Sequence, residues 1–213
     1  LGVPSDVVTM RHGDTDAIIN GGGHGSSRAT YMAGTAIWRA SEEIEAKGKI
    51  VAADMLEAAA TDITFAEGQF TVAGTDRSVG ILDVAKVALE AGTPLDTFHA
   101  FTREAMTYPC GAHAAEVTVD QDTGVVRLVN YTAVDDYGVL VNPMVASGQV
   151  HGAIAQGVGQ ALLEHAVYDE DGQLLAGSFM DYAMPRADDL PSFTLDFSPT
   201  PCTTNPLGVK GCG

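Results

Sequence analysis

The sequence predicts a fold of the α+β class. Apolar residues recur at helical spacing in three segments, over 28–60, 79–91 and 143–164, and short apolar runs between turn residues indicate strands. The helical and strand-like segments follow one another in mixed order. A doubly wound fold would alternate them regularly as βαβ units, so mixed strands and helices are expected instead.

The first quarter of the chain is predicted to hold a short strand, a loop and a long helix. Val7–Met10 has strand composition, and the glycine-rich run 20–27 marks a loop. The helix begins after this loop, with one apolar face across residues 28–60. Gly48 is predicted to break or cap it.

A strand pair and a second helix are expected next. Residues 62–72 have strand character and are split at Glu67–Gly68, where a turn is predicted. The helical spacing of residues 79–91 stops at Gly92, a residue typical of the position after a helix.

The clearest local signal is a β-hairpin. Strands 115–120 and 125–129 are joined at Asp122–Gly124, where glycine supplies the positive φ that the turn needs. A third helix is predicted from Pro143 to about Glu164. A second turn at 169–172 precedes further strand-like segments.

The charge balance narrows the class of partner. The chain has 11 Lys and Arg against 28 Asp and Glu, for a net charge of -17, and no basic residue lies between Leu128 and Pro185. Such a surface repels phosphate backbones and anionic lipid, so nucleic acid and membrane surfaces are not expected partners. No apolar stretch reaches the ~20 residues of a transmembrane segment. A cytoplasmic location is predicted.

The cysteines and histidines show no metal-binding pattern. Cys110, Cys202 and Cys212 form no Cys-x-x-Cys pair, and the six histidines lack metal-ligand spacing. No protein-ligated metal is predicted, and the cysteines are interpreted as structural. The chain starts at Leu1 and stops on a glycine-rich run, which suggests a piece of a longer polypeptide.

The glycine loop ahead of the first helix is a candidate anion site. Residues 21–27 combine glycines with Ser26 and Ser27, which leaves several main-chain N–H groups accessible at a helix N-terminus. No lysine follows for a Walker motif, and no glycine set fits G-x-G-x-x-G. The alternative is a flexible connection capped by Ser26 or Ser27.

The third helix carries a stripe of glutamines. Gln149, Gln156 and Gln160 fall within about 40° of one another around the helix axis. The same helix holds four glycines, each unfavourable by about 1 kcal/mol relative to alanine: Gly148, Gly152, Gly157 and Gly159. Either close helix packing or a flat polar ligand bound by the amides explains them.

Two other candidates have mainly structural interpretations. Asp135 and Asp136 could be paired catalytic carboxylates, but adjacent strand residues face opposite sides, which favours turn chemistry. His151 lies off the glutamine stripe and is expected to be structural.

Five stretches together resemble a known family. They are GGGHGSSRAT (21–30), YPCGAHAAEVTVDQDTG (108–124), NPMVASGQVHGAIAQGVGQAL (142–162), GSFMDYAMPRADDLPSF (177–193) and TTNPLGVKGCG (203–213). In order and spacing they are similar to the C-terminal half of the molybdenum-cofactor subunit of the xanthine dehydrogenase and aldehyde oxidase family, whose bacterial branch includes carbon monoxide dehydrogenase large subunits. The resemblance implies that residues 1–213 are the C-terminal portion of the molybdenum-cofactor-binding domain, truncated at both ends.

The resemblance also implies an activity and partners. Enzymes of this family oxidise a C–H bond of an aldehyde, N-heterocycle or purine, or CO, with water-derived oxygen. Electrons leave through 2Fe-2S centres and FAD, which are expected on partner subunits or domains. The remaining half of the molybdenum domain, a small-molecule substrate and a dimer of heteromers complete the implied assembly.

Site residues follow from the same resemblance. Six consecutive residues would lie along the molybdopterin, which in bacterial relatives usually carries a cytosine dinucleotide: Gly25, Ser26, Ser27, Arg28, Ala29 and Thr30. Gln156 would contact the cofactor near the metal, and Gln160 would extend that contact. Gln149 is included only because it shares their stripe.

The family's catalytic base is a glutamate directly after the Gly-x-Gly that corresponds to Gly211–Gly213. No catalytic residue is therefore assigned within this chain, and the isolated chain is expected to be inactive. The alternative function is a non-catalytic binding or assembly module with the same fold. A nucleotide-binding protein that uses the glycine loop is a third possibility.

Overall fold

Helices and strands occur in mixed order along the chain, which confirms the predicted α+β class. The computed structural model describes residues 1–18, 21–23, 25–103 and 105–212. They divide into two units. The first comprises Leu1–Gly25 and Met32–Arg103, and the second comprises Ser26–Tyr31 and Glu104–Gly213.

The first unit contains most of the long helix and a small sheet. Helix α1 spans Ala29–Met55, and the strands are β1 (Ile63–Ala66), β2 (Gln69–Val72) and β3 (Ser78–Gly80), followed by helix α2 (Ile81–Glu90). The strands pair antiparallel in the order β1-β2-β3. The predicted turn at Glu67–Gly68 joins β1 to β2, and Gly92 follows α2 with a positive φ, as predicted.

The prediction that Gly48 breaks or caps α1 is wrong, because α1 continues to Met55. Gly48 is buried, and a Cβ built on it would collide with the ring of Phe70, which is itself fully buried. The lack of a side chain at Gly48 allows the Phe70 ring to pack against the helix backbone. Its unfavourable helix propensity is outweighed by tertiary packing.

The predicted strand at Val7–Met10 is also wrong. Ser5–Val7 forms a single 3-10 turn, and Val8 and Met10 are exposed. An apolar run becomes a strand only where a neighbouring strand supplies its hydrogen bonds. No described residue does so here.

The second unit is built on a long hairpin. β4 (Cys110–Val119) and β5 (Val126–Asp136) pair antiparallel and extend beyond the predicted strands, and β6 (Phe193–Phe197) runs parallel to β5. Helix α3 spans Pro143–Leu162. Val150 and Ile154 of α3 pack over β5 and β6 in a cluster that includes these residues: Ala133, Tyr131, Phe193, Leu195 and Phe197.

Local chemistry fixes the start of α3, as the sequence predicts. The Asn142 side chain accepts a hydrogen bond from the Val145 N–H at 3.1 Å, and Pro143 occupies the first turn. Both are preferred choices at a helix N-terminus. The cap and the proline therefore fix where α3 starts.

Asp136, at the end of β5, anchors the C-terminal segment. Its Oδ1 accepts hydrogen bonds from the N–H groups of Gly138 (2.8 Å) and Thr200 (3.0 Å), and its Oδ2 lies 2.6 Å from Lys210 Nζ. The Lys210 ammonium and these amides hold the pKa of the Asp136 carboxyl well below its usual range. The segment that leads to Gly211 and Cys212 is thereby tied to the sheet.

Gly48→Ala is expected to destabilise the protein by about 1–3 kcal/mol, because the added methyl group overlaps the Phe70 ring. The matched control is Gly148→Ala, where the structure places no described atom within 4 Å of the new Cβ. That substitution should instead stabilise α3 by up to about 1 kcal/mol. Urea denaturation of both variants measures the difference, and equal effects would contradict the packing argument.

Lys210→Met is expected to lower the free energy of unfolding at pH 7 by about 3 kcal/mol, because it leaves a buried carboxylate without its ion pair. The folded-state pKa of Asp136 is depressed, so the pair's contribution is present above the ordinary value of 3.8 and fades as pH falls below it. The difference in free energy of unfolding between wild type and variant should therefore become smaller at acid pH.

Denaturation curves at neutral and acid pH test this, with Lys86→Met on the exposed side of α2 as control. A gap that stays constant with pH would show that the lysine stem, rather than its charge, stabilises the segment.

Candidate functional site

A turn with unusual backbone geometry precedes α1. Ser26 and Ser27 adopt φ values of 52° and 50°, a left-handed conformation that residues other than glycine seldom take. Both residues are exposed. Main-chain amides of such turns, placed at a helix N-terminus, are suited to bind anions.

The Ser26–Ser27 turn lies against Gly211. A Cβ built on Gly211 would lie 3.2 Å from the Ser27 Cβ and carbonyl oxygen and 3.9 Å from the Ser26 carbonyl oxygen. Gly211 is buried, and its N–H donates to Thr107 Oγ1 at 3.1 Å. The absence of a side chain at this residue allows the two backbones to approach closely.

Cys212 extends this contact to α3. Its carbonyl oxygen accepts a hydrogen bond from Gln149 Nε2 at 3.4 Å, and its thiol lies 3.8 Å from the Ala146 carbonyl oxygen. Three segments that are distant in sequence therefore meet: the Ser26–Ser27 turn, Gly211–Cys212 and the first two turns of α3. We call this the convergence surface.

The glutamine stripe continues from the convergence surface along α3. Gln149, Gln156 and Gln160 are all exposed, whereas the buried face of the helix carries Val150 and Ile154. Gln160 lies about 16 Å along the axis from Gln149, at 1.5 Å per residue. Of the three, Gln149 is the one that contacts Cys212.

The glycines of α3 have two different explanations. A Cβ on Gly159 would collide with Glu164 and approach Pro185 Cγ to 2.7 Å, so close packing accounts for that glycine. No atom of the described residues lies within 4 Å of a Cβ on Gly148, Gly152 or Gly157. These three leave space beside the stripe for a group outside the described chain.

The other predicted site residues flank the turn. Gly25 is the last residue of the Leu1–Gly25 segment, and Arg28 is half-buried directly before α1. Ala29 and Thr30 form the start of α1. Two residues of the motifs, His24 and Gly213, lie outside the described residues.

A hydrogen-bonded cluster between β4 and β5 was not predicted from the sequence. His113 Nε2 lies 3.0 Å from Asp135 Oδ1, and its Nδ1 lies 3.1 Å from the Tyr131 hydroxyl. Asp135 and Cys212 both raise the pKa of the Tyr137 hydroxyl. The available signal was the even spacing of residues 131, 135 and 137, four and then two positions apart, which places them on one side of the strand.

Burial raises the pKa of two groups, the Tyr137 hydroxyl and the Cys212 thiol. Desolvation, followed by the charge of Asp135, raises the pKa of the Tyr137 hydroxyl well above its usual range. The same two causes raise the pKa of the Cys212 thiol, against an opposing hydrogen bond from Tyr137. Both groups are therefore neutral at physiological pH.

Asp135 and Asp136 thus have separate partners on opposite sides of β5, and they do not form a catalytic carboxylate pair. His151 donates a hydrogen bond from Nδ1 to the Ser147 carbonyl oxygen of its own helix at 2.7 Å, and its ring lies beside the Phe193 ring. Its structural interpretation fits these contacts. Among the described residues no group of His, Cys, Asp and Glu could hold a metal ion.

A separate groove of about 850 Å³ lies between the start of β5, the end of α3 and residues 188–191. Its lining combines apolar side chains, such as Val126, Val158 and Leu162, with the charged side chains of Arg127 and Asp188. None of the predicted site residues lines it. In the part of the chain that the structure describes, no helix has the length and apolar character of a membrane span.

Comparison with known proteins identifies relatives of the whole chain. Residues 1–191 match the model of the molybdopterin cofactor-binding domain family. The chain is 34% identical over 219 residues to the carbon monoxide dehydrogenase large chain of Afipia carboxidovorans. It is also 34% identical over 225 residues to subunit gamma of the 6-hydroxypseudooxynicotine dehydrogenase complex of Paenarthrobacter nicotinovorans.

Solved structures agree with these matches. A crystal structure of Cu,Mo-CO dehydrogenase superposes with a TM-score of 0.94 at 34% identity. The match covers 100% of this chain and 28% of the dehydrogenase chain. Quinoline 2-oxidoreductase from Pseudomonas putida 86 superposes with a TM-score of 0.81 at 32% identity. The match covers 88% of this chain and 25% of the oxidoreductase chain.

The curated relatives are much longer than this chain. All of the chain aligns with 27% of the carbon monoxide dehydrogenase large chain and 28% of the Paenarthrobacter subunit. The family match nevertheless covers most of the 213 residues. The chain belongs to the molybdopterin cofactor-binding domain family of molybdenum hydroxylases.

Proposed function

We propose that this chain forms part of the cofactor site of a molybdenum hydroxylase, with the molybdopterin lying across the convergence surface and along the glutamine stripe. The observation that carries the proposal is the meeting of the Ser26–Ser27 turn, Gly211–Cys212 and Gln149 in one place. These segments bring exposed main-chain amides next to carboxamide side chains.

The residues present suit this cofactor. Its phosphate is anionic, and the turn offers main-chain N–H groups at the N-terminus of α1, where the helix dipole favours negative charge. Its pterin ring presents donors and acceptors in a plane, which glutamine amides can match. The open faces of Gly148, Gly152 and Gly157 allow a flat ring to approach the α3 backbone.

Each predicted residue has a role in this proposal. The phosphate end of the cofactor would be held by the turn and its neighbours, namely Gly25, Ser26, Ser27, Arg28, Ala29 and Thr30. Gln149, Gln156 and Gln160 would orient the ring system. When bound, the cofactor supplies the redox-active molybdenum, while the chain binds and orients it.

The finer assignments rest on the resemblance and the relatives. We propose the cytosine dinucleotide form of the cofactor, 2Fe-2S and FAD centres on partner subunits or domains, and a cytoplasmic dimer of heteromers. Substrates would be CO, aldehydes, N-heterocycles or purines. Because the chain corresponds to about a quarter of its relatives, turnover would require the remaining part of the molybdenum domain, and the isolated chain would be inactive.

Molybdenum and pterin analysis of the purified native assembly tests the proposal. Mass spectrometry should find molybdenum, and the oxidised pterin should be detected by its fluorescence, in a fixed ratio to this chain. A non-catalytic assembly module would carry neither. A third function, nucleotide binding by the glycine loop, would appear as thermal stabilisation by ATP or NAD.

Gln156→Ala is expected to weaken cofactor retention about tenfold, because it removes one or two hydrogen bonds to the ring at roughly 1 kcal/mol each. The measurement is pterin released per chain during dialysis of the assembly. Gln121→Ala, in the exposed turn of the β4–β5 hairpin, is the matched control and should retain the cofactor as wild type does. Equal retention by both variants would remove Gln156 from the site.

Gly152→Leu is expected to lower cofactor content strongly while leaving the chain folded. Nothing described lies within 4 Å of the new Cβ, and leucine improves helix propensity by up to about 1 kcal/mol. The side chain would, however, occupy the space where the ring approaches. Ala46→Leu on an exposed part of α1 controls for added surface hydrophobicity, and a fully loaded Gly152→Leu assembly would contradict the proposed path of the cofactor.

A further inference from the structure

One edge of the sheet in the second unit is only partly covered. Strand β5 spans Val126–Asp136, but β6 pairs with it only from Tyr131 to Asp135. Residues 126–130 have β4 on one side, and on the other side no described residue pairs with them. At about 3.3 Å per residue, this free edge is roughly 16 Å long. It presents main-chain N–H and C=O groups with which a further strand can pair.

The sequence explains why β6 does not cover this edge. The register pairs Tyr131 with Phe193, and its continuation would place Pro191 beside Val129. Proline has no N–H to donate to a sheet ladder, so the pairing stops before it. The chain instead reaches β6 from the short 3-10 turn Ala187–Asp189. The free edge of β5 is therefore left open to another segment.

The free edge opens into the groove of about 850 Å³ described above. The wall that α3 contributes is formed by Val158, Ala161 and Leu162, whose spacing of three and four places them on one side of the helix. Arg127 and Asp188 add charged side chains to the lining. A free strand edge beside pockets for side chains is the arrangement that binds an extended peptide by strand addition.

Apolar side chains along the groove are left uncovered. Val126 and Val129 of β5 and Leu162 of α3 are all exposed. Two successive residues of β4 pair with Asn130 and Leu128, so Val129 between them is a β-bulge without a partner on β4. Bulges redirect side chains and are frequent next to binding sites. A segment with β-branched or other apolar residues would bury these side chains favourably.

Two observations favour a polypeptide segment of the same subunit as the occupant. The chain aligns with only 27% of the carbon monoxide dehydrogenase large chain, so other segments would make up most of a subunit of that size. The groove also offers a row of main-chain donors and acceptors. A lipid or an apolar small molecule would leave that row without hydrogen-bond partners, whereas an extended peptide would satisfy it.

We propose that residues 126–130 of β5 receive an added strand, an extended segment from the remaining part of the molybdenum subunit, which lies in the groove between β5 and the end of α3. Its main-chain groups would continue the ladder of β5, and its apolar side chains would pack against Val158 and Leu162. The source of the segment rests on the proposed function. The added strand would support the end of the helix that carries Gln156 and Gln160.

Photochemical cross-linking in the native assembly identifies the occupant. The photoreactive residue p-benzoylphenylalanine in place of Leu162 should cross-link to a segment of the remaining part of the molybdenum subunit, located by peptide mass spectrometry. The same residue in place of Leu89, on the exposed side of α2, is the control and should not label that segment. Cross-links to an iron–sulfur or flavin subunit, to a second copy of this chain, or to nothing would overturn the proposal.

Hydrogen exchange of the assembly tests the strand pairing itself. All amides of residues 126–130 should exchange slowly, because those that do not bond to β4 would bond to the added strand. Ala161→Trp fills the groove and should accelerate their exchange about tenfold or more, since overpacking weakens the added strand. Ala46→Trp on an exposed part of α1 should leave the exchange unchanged. Fast exchange of about half of these amides in the wild type would refute the added strand.

Thermal denaturation establishes that the Ala161→Trp assembly is folded. If it is not, Ala161→Leu adds a smaller group at the same position and is expected to accelerate exchange in the same amides. Neither cross-linking nor hydrogen exchange requires the cofactor. An assembly without molybdenum or pterin would refute the proposed function, whereas unprotected amides at residues 126–130 in a loaded assembly would refute the added strand alone.

Discussion

The buried carboxylate of Asp136 is the contact on which the convergence surface depends. It binds the Gly138 and Thr200 amides and the Lys210 ammonium at once, so the end of β5, the segment near residue 200 and the C-terminal segment are held together. It acts together with the Lys210 N–H, which donates to the Tyr137 carbonyl oxygen at 2.8 Å, in setting the direction in which Gly211 and Cys212 leave the sheet. The positions of the Ser26–Ser27 turn and Gln149 relative to each other are defined through those two residues.

In a chain with a net charge of -17, a surface made of main-chain groups and amides suits the anionic ligand proposed above. An anionic ligand is repelled by an acidic protein unless local donors are directed at it. Main-chain N–H groups at a helix N-terminus provide such donors without a cationic side chain. Two features of the backbone fit this arrangement. Ser26 and Ser27 adopt a left-handed conformation, and the lack of a side chain at Gly211 lets its backbone pack closely against theirs.

The parts of the fold that local chemistry determines could be predicted from the sequence. The Asp122–Gly124 turn and the Asn142–Pro143 helix start are examples, because each depends on residues within a few positions. Gly48 could not be interpreted correctly, since its partner Phe70 lies in another element. The glutamine stripe followed from helical periodicity. The contact of Gln149 with Cys212 could not be predicted in the same way. It depends on the position of the C-terminal segment, which Asp136 and Lys210, 74 residues apart in sequence, help to hold.

The two adjacent carboxylates show what residue spacing could and could not predict. Spacing correctly indicated that Asp135 and Asp136 face opposite sides of the strand, but it did not identify the partners of either. Because successive strand residues face opposite sides, Asp136 meets a lysine and two amides while Asp135 meets a histidine and a tyrosine. The first environment stabilises a charge. The second is a poorly solvated site where burial, followed by the charge of Asp135, raises the pKa of the Tyr137 hydroxyl and of the Cys212 thiol. Two neighbouring residues of one strand end therefore have different roles, and only Asp136 anchors the C-terminal segment.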